Sequence, residues 1–202
     1  HDQSSTLYLV TSADVSRTNG RGTKIIYHLN DLLPSAIALD RATGNVYLSA
    51  LVNTTNNGQD RSIIKVITSP TNADVNIITT QSIITDLVMD SSVGVLFWSE
   101  HSKSQSGRII RSAMDGSSSR WLHSLNKVEY PIALALDSIQ RRVYWADFRH
   151  HTISSCDYEG AKQKIIVSNT RGQPLSLDFF ESRIMWSILA QNAIYSQAIQ
   201  NA

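Results

Sequence analysis

The sequence predicts an all-β fold, a β-propeller of four-stranded antiparallel blades, and three observations carry that prediction. A two-strand phrase recurs four times, its halves keep a fixed internal spacing, and no stretch shows the 3.6-residue apolar period of a helix. The copies are Pro34-SAIAL-Asp40 with VYLSA at 46–50, Ile84-TDLVM-Asp90 with LFWSE at 96–100, Pro131-IALAL-Asp137 with VYWAD at 143–147, and Pro174-LSLDF-Phe180 with IMWS at 184–187. In all four the opening Pro or Ile stands six residues before the Asp position, and in the first three an aromatic follows that Asp by seven. The Asp positions lie 43 to 50 residues apart, the length of one propeller blade.

Each element within a repeat has its own signal. Ile37 and Leu39 alternate with Ala36 and Ala38, and Val143-Tyr144-Trp145 is the β-branched and aromatic vocabulary of strands. A third strand follows, RIIRSAM at 108–114 or TISSCDY at 152–158, closed by the turn signals Asp115-Gly116 and Glu159-Gly160. A fourth strand is expected over SRWLHSL at 119–125 and KQKIIVS at 162–168. LYLVTS at 7–12 reads as a fifth aromatic strand without its first half, so about five blades are present, in a single domain over 1–202 whose ring is incomplete. A helical solenoid of similar period is disfavoured, because Gly, Asn and β-branched residues stand where its helices would lie.

Composition bounds the function class. Apolar residues make up 42% of the 202 residues and charged ones 17%, enough to bury a core. Eighteen Lys and Arg against seventeen Asp and Glu leave a charge of +1, which gives no electrostatic reason to expect nucleic acid or an anionic membrane as partner. The longest clean apolar run, 132–136, is far below the roughly 18 residues needed to cross a bilayer, so no direct membrane insertion is expected. The chain begins at His1 and reads as an excerpt of a longer protein. Cys156 is the single cysteine and is expected to be a small buried core thiol. Asn53-Thr54-Thr55 is a glycosylation sequon in a polar stretch that reads as an exposed loop.

Catalytic signatures are missing: there is no Gly-x-Ser-x-Gly, His-Glu-x-x-His, Cys-x-x-Cys, EF-hand or Walker pattern. The enzyme alternative is a calcium-dependent hydrolase of lactonase or phosphotriesterase type, whose channel metal would take oxygen ligands such as Asp40, Asp90 and Asp137. A residue repeated at one place in every blade is better explained as a structural hydrogen-bonding device. We expect these aspartates to bond backbone of the next blade, with no cofactor and no metal bound. Tyr47, Phe97 and Tyr144, with Trp98, Trp145 and Trp186, recur with the blade and read as core between blades.

Pro-x-x-(Leu/Ile)-Ala-Leu-Asp followed by Tyr-Trp-Ala-Asp resembles the class B, or YWTD, repeat of the low-density-lipoprotein receptor family, with VYWAD at 143–147 the closest match. PLSLDFFESRIMWS at 174–187, with its shortened spacer, is similar to the last aromatic repeat of that family, and LYLVTSADVSRTN at 7–19 to its first. In VYLSA the motif is degraded, Leu48 and Ala50 standing for Trp and Asp. The resemblance implies a six-bladed propeller closed by a C-terminal strand, with AIYSQAIQ at 193–200 as the third strand of the fifth blade and a further segment or chain completing the ring. It also implies a non-enzymatic receptor-ectodomain module that binds protein ligands or assists their pH-dependent release. Such a module is extracellular, at the cell surface and in the endosomal lumen, as part of a membrane-anchored protein, and it neighbours EGF-like and cysteine-rich ligand-binding modules.

In that family the loops after the aromatic strand, and those around the repeat-opening Pro, meet partners on one face. Carried over by position, these are His101 after FWSE, Phe148, Arg149, His150 and His151 after YWAD, Leu189 after IMWS, and Tyr130, Ile132 and Gln173 beside the prolines. Ile132 occupies the place where some relatives carry a polar anchor for an Asn-bearing peptide. His151, four residues after Asp147, matches a family histidine held to meet ligand-binding repeats at endosomal pH, whereas Gln173 stands where a second one is found.

Overall fold

Period-2 alternation of apolar residues carries the chain into strands throughout. The computed structural model describes residues 7–10, 14–18, 23–29, 32–52, 61–68, 71, 73–102, 105–122, 128–189 and 191–199. Among these there are eighteen strands, no helix, and five antiparallel sheets. The first blade holds β1 (Leu7–Val10), β2 (Asp14–Thr18) and β3 (Thr23–His28). The second holds β4 (Leu32–Leu39), β5 (Val46–Val52), β6 (Ser62–Ile67) and β7 (Asp74–Thr80), and the third β8 (Ile83–Asp90), β9 (Val95–Ser102), β10 (Gln105–Ala113) and β11 (Arg120–Trp121). The fourth holds β12 (Pro131–Asp137), β13 (Arg142–Asp147), β14 (Thr152–Asp157) and β15 (Lys164–Val167). The fifth has β16 (Pro174–Phe180), β17 (Arg183–Ile188) and β18 (Ile194–Ala198). The three complete blades over 34–173 are those the repeat predicts, and β18 falls where a third strand is expected. The fourth strand of the third blade is shorter than expected: β11 covers two residues, and 123–127 lie outside the described residues.

The core lies between blades, and the adjacent aromatics of the second strand explain how. Neighbouring residues of a strand point to opposite sheet faces. Phe97 therefore packs toward the fourth blade with Trp145, Cys156 and Tyr158, while Trp98 packs toward the second with Tyr47 and Ile64. Tyr144 likewise turns to the fifth blade and meets Trp186 and Ile184. Each interface thus receives the Tyr or Phe of one blade and the Trp of the next. Leu48, Trp98, Trp145 and Trp186 occupy equivalent buried positions, paired with Ile37, Leu87, Leu134 and Leu177. Among the described residues, the interface with Leu48 in the Trp place is built on Leu29, Val46, Leu48 and Ile67.

The recurring Asp turns out to serve its own blade. Asp137 Oδ1 accepts the backbone N–H of Ile139 (3.0 Å) and Gln140 (2.9 Å), Asp40 Oδ1 that of Ala42 (3.0 Å), and Asp90 Oδ1 that of Ser92 (3.0 Å). These are Asx turns that cap the hairpin between the first and second strands. The expectation of bonds to backbone of the next blade is corrected: the turn is two residues away and closes without ordering a second segment. Two of the three also reach across by side-chain contacts: Asp40 takes the Ser91 hydroxyl of the third blade, and Asp90 accepts the Tyr158 hydroxyl of the fourth at 2.8 Å. Burial works against the Asp90 charge, but the hydroxyls of Ser92, Tyr158 and Ser138 outweigh it and hold its carboxyl below the ordinary range. Cys156 is fully buried, and burial pushes its thiol up to about 12, as a core thiol requires.

All four innermost strands carry a bulge at one place, immediately after the opening Pro or Ile, where Ser35, Thr85, Ile132 and Leu175 are the extra residues. These four, with the residues that follow them, line a central channel of about 970 Å³.

The Tyr158–Asp90 contact predicts that Tyr158→Phe lowers unfolding free energy by about 1–3 kcal/mol near neutral pH, because the Asp90 carboxylate stays buried with one donor fewer. A depressed folded-state pKa stabilises above the unfolded value and loses that contribution as pH falls. The deficit, measured by urea denaturation, should therefore shrink below about pH 4.

Candidate partner-binding face and channel

One carboxylate organises the loops expected to face a partner. Asp147, the last residue of β13, is 1% exposed. Its Oδ2 accepts the N–H of Glu129 (2.8 Å) and Tyr130 (3.3 Å) from the segment before β12, and its Oδ1 accepts those of Arg149 and His150 (both 3.0 Å) from the loop after β13. Phe148 N–H donates to the Tyr130 carbonyl at 2.9 Å, closing the pair of loops. A carboxylate supplies about four lone-pair sites, so four N–H donors saturate it. At the matching places the second blade has Ala50 and the fifth Ile188, neither of which has an acceptor to offer. Glu100, the third-blade counterpart, turns inward, pairing with Arg108 Nη2 at 2.6 Å and accepting Trp98 Nε1 at 3.2 Å.

The loops present aromatics and charges side by side. His101, at the end of β9, meets the Tyr130 ring at 4.0 Å between centroids, and Tyr130 meets Phe148 at 5.5 Å, so three rings run in series from the third blade to the fourth. Arg149 Nη1 pairs with Glu129 Oε1 at 2.9 Å on the exposed side. The His150 ring stands between two carboxylates, Nδ1 at 3.3 Å from Asp147 Oδ2 and Nε2 at 3.4 Å from Glu129 Oε2. Between these loops and the β9–β10 hairpin lies a groove of about 320 Å³, lined by His101, Gln105, Glu129, Tyr130 and Arg149 among others.

Of the positions expected at this face, His101, Tyr130, Phe148, Arg149 and His150 are brought together. Gln173 and Leu189 meet each other on the fifth blade, the Leu189 N–H donating to the Gln173 carbonyl at 2.8 Å. His151 adopts a left-handed backbone conformation (φ 54°) and its carbonyl accepts the Thr170 N–H at 2.9 Å, which ties it to the segment leading into β16. Ile132 is the bulge residue of β12: it lines the channel and packs against the core between the fourth and fifth blades. Asn53 lies outside the described residues. Glu129 escaped the sequence reading, its only signal being a charged residue two before the repeat-opening Pro.

Asp86 also escaped it. In β8 it follows the bulge residue Thr85, where the other repeats carry Ala36, Ala133 and Ser176. Its Oδ2 accepts the N–H of Leu134 in β12 at 2.6 Å and its Oδ1 that of Leu87 at 2.8 Å. Thr85 Oγ1 donates to the Pro131 carbonyl at 2.5 Å, a second stitch between the two inner strands. Burial pushes the Asp86 carboxyl up to about 6, against the pull of those two N–H groups. The channel-lining set otherwise holds Asp90, Asp178 and Arg41 as charged groups, and among the described residues no three metal-ligating side chains gather anywhere.

No family model matches the chain. It is 30% identical over 103 residues to Vitellogenin receptor Yl of Drosophila melanogaster, covering 51% of this chain and 5% of that receptor. It is 26% identical over 166 residues to the vitellogenin receptor of Solenopsis invicta, covering 80% of this chain and 8% of the relative. A human relative, low-density lipoprotein receptor-related protein 5, is 26% identical over 100 residues, covering 50% of this chain and 6% of its own length. Together with the repeat, these likenesses support a YWTD-type propeller similar to those of the low-density-lipoprotein receptor family. This YWTD propeller spans less than a tenth of each of those relatives. Its fold is shared with a chain of the nidogen/laminin complex (TM-score 0.63, 14% identity, 96% of this chain and 89% of that one). It is also shared with a luciferin-regenerating enzyme (TM-score 0.72, 14% identity, 98% and 70%). At those identities the likeness speaks for fold alone.

Two outcomes are expected. Asp147→Ala leaves four N–H groups without their acceptor and should destabilise the YWTD propeller by about 3 kcal/mol or more in chemical denaturation, a hydrogen bond to a charged group being worth roughly 1.5–3 kcal/mol. Gly107, whose N–H donates to the Glu129 carbonyl at 2.9 Å, has no room for a side chain: an added Cβ would overlap Pro131 Cδ and come within 2.9 Å of that carbonyl oxygen. Gly107→Ala should therefore perturb the amide NMR resonances of 128–130 while leaving those of the second blade in place.

For Asp86 the sign is the reverse of the usual carboxylate. A raised folded-state pKa stabilises below the unfolded value and loses that contribution as pH rises through about 6. The unfolding free energy of the native protein, relative to Asp86→Asn, should fall by on the order of 2–3 kcal/mol between about pH 4 and pH 7. Parallel curves would show that Asp86 titrates normally.

Proposed function

We propose that this propeller is the protein-binding module of an extracellular receptor ectodomain and not a catalyst. The contact surface on this reading is the loop pair held by Asp147. That carboxylate fixes Tyr130, Phe148, Arg149 and His150 in one place before any partner arrives, and preorganisation lowers the ordering cost of association. Aromatic and Arg side chains are the types that anchor protein interfaces. Receptors among the sequence relatives support the reading, and the neighbouring EGF-like and cysteine-rich modules of the family supply the class of partner. Asn53 is the proposed glycan attachment site, and the endosomal lumen a second location.

Partner binding on this reading tightens on acidification, because His150 and His151 add positive charge beside Arg149 and favour an acidic partner. His150 is the one of the two placed between the carboxylates of Asp147 and Glu129. Affinity for an acidic cysteine-rich repeat, measured by calorimetry near pH 7.4 and near pH 5.5, should rise in the native protein and rise less in His150→Ala. An equal gain in His150→Ala and His151→Ala would remove the histidines from the reading.

The hydrolase alternative draws on the fold shared with the luciferin-regenerating enzyme. It needs oxygen ligands converging in the channel, and Asp40, Asp90 and Asp137 are each engaged by their own hairpin. Millimolar calcium should leave the melting temperature unchanged; a calcium-dependent rise lost in a channel Asp variant would revive that reading.

A further inference from the structure

We propose that the central channel is a binding site for a primary ammonium group on an alkyl chain, with Asp86 as counter-ion and the bulge residues Ile132 and Leu175 as the apolar wall. The proposal is independent of the partner-face reading.

The argument starts from charge. Asp86 hydrogen-bonds only to the two backbone N–H groups of Leu87 and Leu134, and among the described residues no cation pairs with it. Arg41, the cation in the channel lining, sits one residue beyond Asp40, level with Ser91, five residues along the inner strands from Asp86. At about 3.3 Å per residue that is roughly 16 Å away. A half-buried carboxylate with no cation beside it in a cavity of about 970 Å³ is an unfilled half of an ion pair. Its raised affinity for a proton says the same thing.

The shape of the site selects the cation. A metal ion of the hard class wants six or more oxygens, and no such set converges here. A guanidinium pairs best through two parallel bonds to both carboxylate oxygens, but each Asp86 oxygen already accepts a backbone N–H. An ammonium is a compact point charge that needs one free lone pair. The hydroxyls of Ser35 and Ser176, both in the channel lining, are further acceptors for its remaining hydrogens. Ile132 and Leu175 line the same channel as these polar groups and offer apolar surface to methylenes, and Leu175 is 42% exposed. Asp86 lies three residues into β8 from Ile83, roughly 10 Å below the face that carries His101 and Tyr130. The ammonium is either that of a free amine or a lysine side chain of a partner entering from that face.

The test uses n-butylammonium and a peptide, acetyl-Gly-Gly-Lys-Gly-Gly-amide, titrated into the native chain near pH 7.5 and near pH 5 with calorimetric and NMR readouts. Saturable binding is expected near pH 7.5, weaker near pH 5, and weakened ~10-fold or more in Asp86→Asn. Asp178→Asn, which removes a channel charge two residues farther along, should change it less than twofold if contact rather than general attraction is responsible. Should Asp86→Asn fail to fold, Leu175→Trp, which fills the wall and leaves the carboxylate in place, should weaken binding as strongly. A peptide that binds more tightly than butylammonium identifies a partner lysine as the source, and the reverse order identifies a free amine. The proposal is overturned by equal affinity in the native protein and Asp86→Asn, by equal losses in Asp86→Asn and Asp178→Asn, by unaltered binding in Leu175→Trp, or by no saturable binding of either probe.

Discussion

Two adjacent aromatics on one strand must point to opposite faces of the sheet, and the rest of this fold depends on that constraint. Phe97 and Trp98, or Tyr144 with its neighbour Trp145, serve two different interfaces from a single blade. A blade with such a pair cannot bury it alone, because one ring is always left on the far side. Stacking blades around an axis buries both rings at once, since the Tyr or Phe of one blade and the Trp of the next meet in the same interface. The interface with Leu48 has an aliphatic side chain where the other three have the Trp ring.

Polar groups divide the work that the aromatics leave. The carboxylates at 40, 90 and 137 close hairpins locally, which fixes where each first strand ends and each second begins. Asp147 acts over a longer span, gathering N–H groups from two loops that would otherwise face water. Its counterpart Glu100 has one more methylene and an Arg within reach, and it folds back onto its own blade. Geometry at a single strand end thus separates a carboxylate that ties two loops together from one that turns back on its own blade.

The channel follows a different logic. Repeated bulges put four side chains of dissimilar chemistry, Ser35, Thr85, Ile132 and Leu175, around one axis. The blades are alike in backbone but not at this position, so a symmetric scaffold yields an asymmetric cavity. Asp86 adds a charge to one side only and is held there by backbone of the adjacent blade.

The sequence by itself determined the blades. Spacing from Pro131 to Asp137 to Tyr144, repeated through the chain, fixes strand, turn and strand, and strand alternation then dictates which aromatics are core. The family's motif led to His101, Tyr130, Phe148 and His150 as expected partner-facing positions, and the structure brings these four together on neighbouring loops. Only the tertiary structure decided which of these positions act together. It set His150 between Asp147 and Glu129 while tying His151 to Thr170, and it moved Ile132 from the face into the channel wall. It also gave Asp86 a partner in β12 besides the N–H of Leu87 in its own strand. The reason is physical: a repeat pattern encodes contacts within a blade, where separation in sequence is short and fixed. A bulge, a carboxylate shared by two loops, or a charge at the seam of two blades depends on groups some twenty to fifty residues away, whose approach no local spacing records.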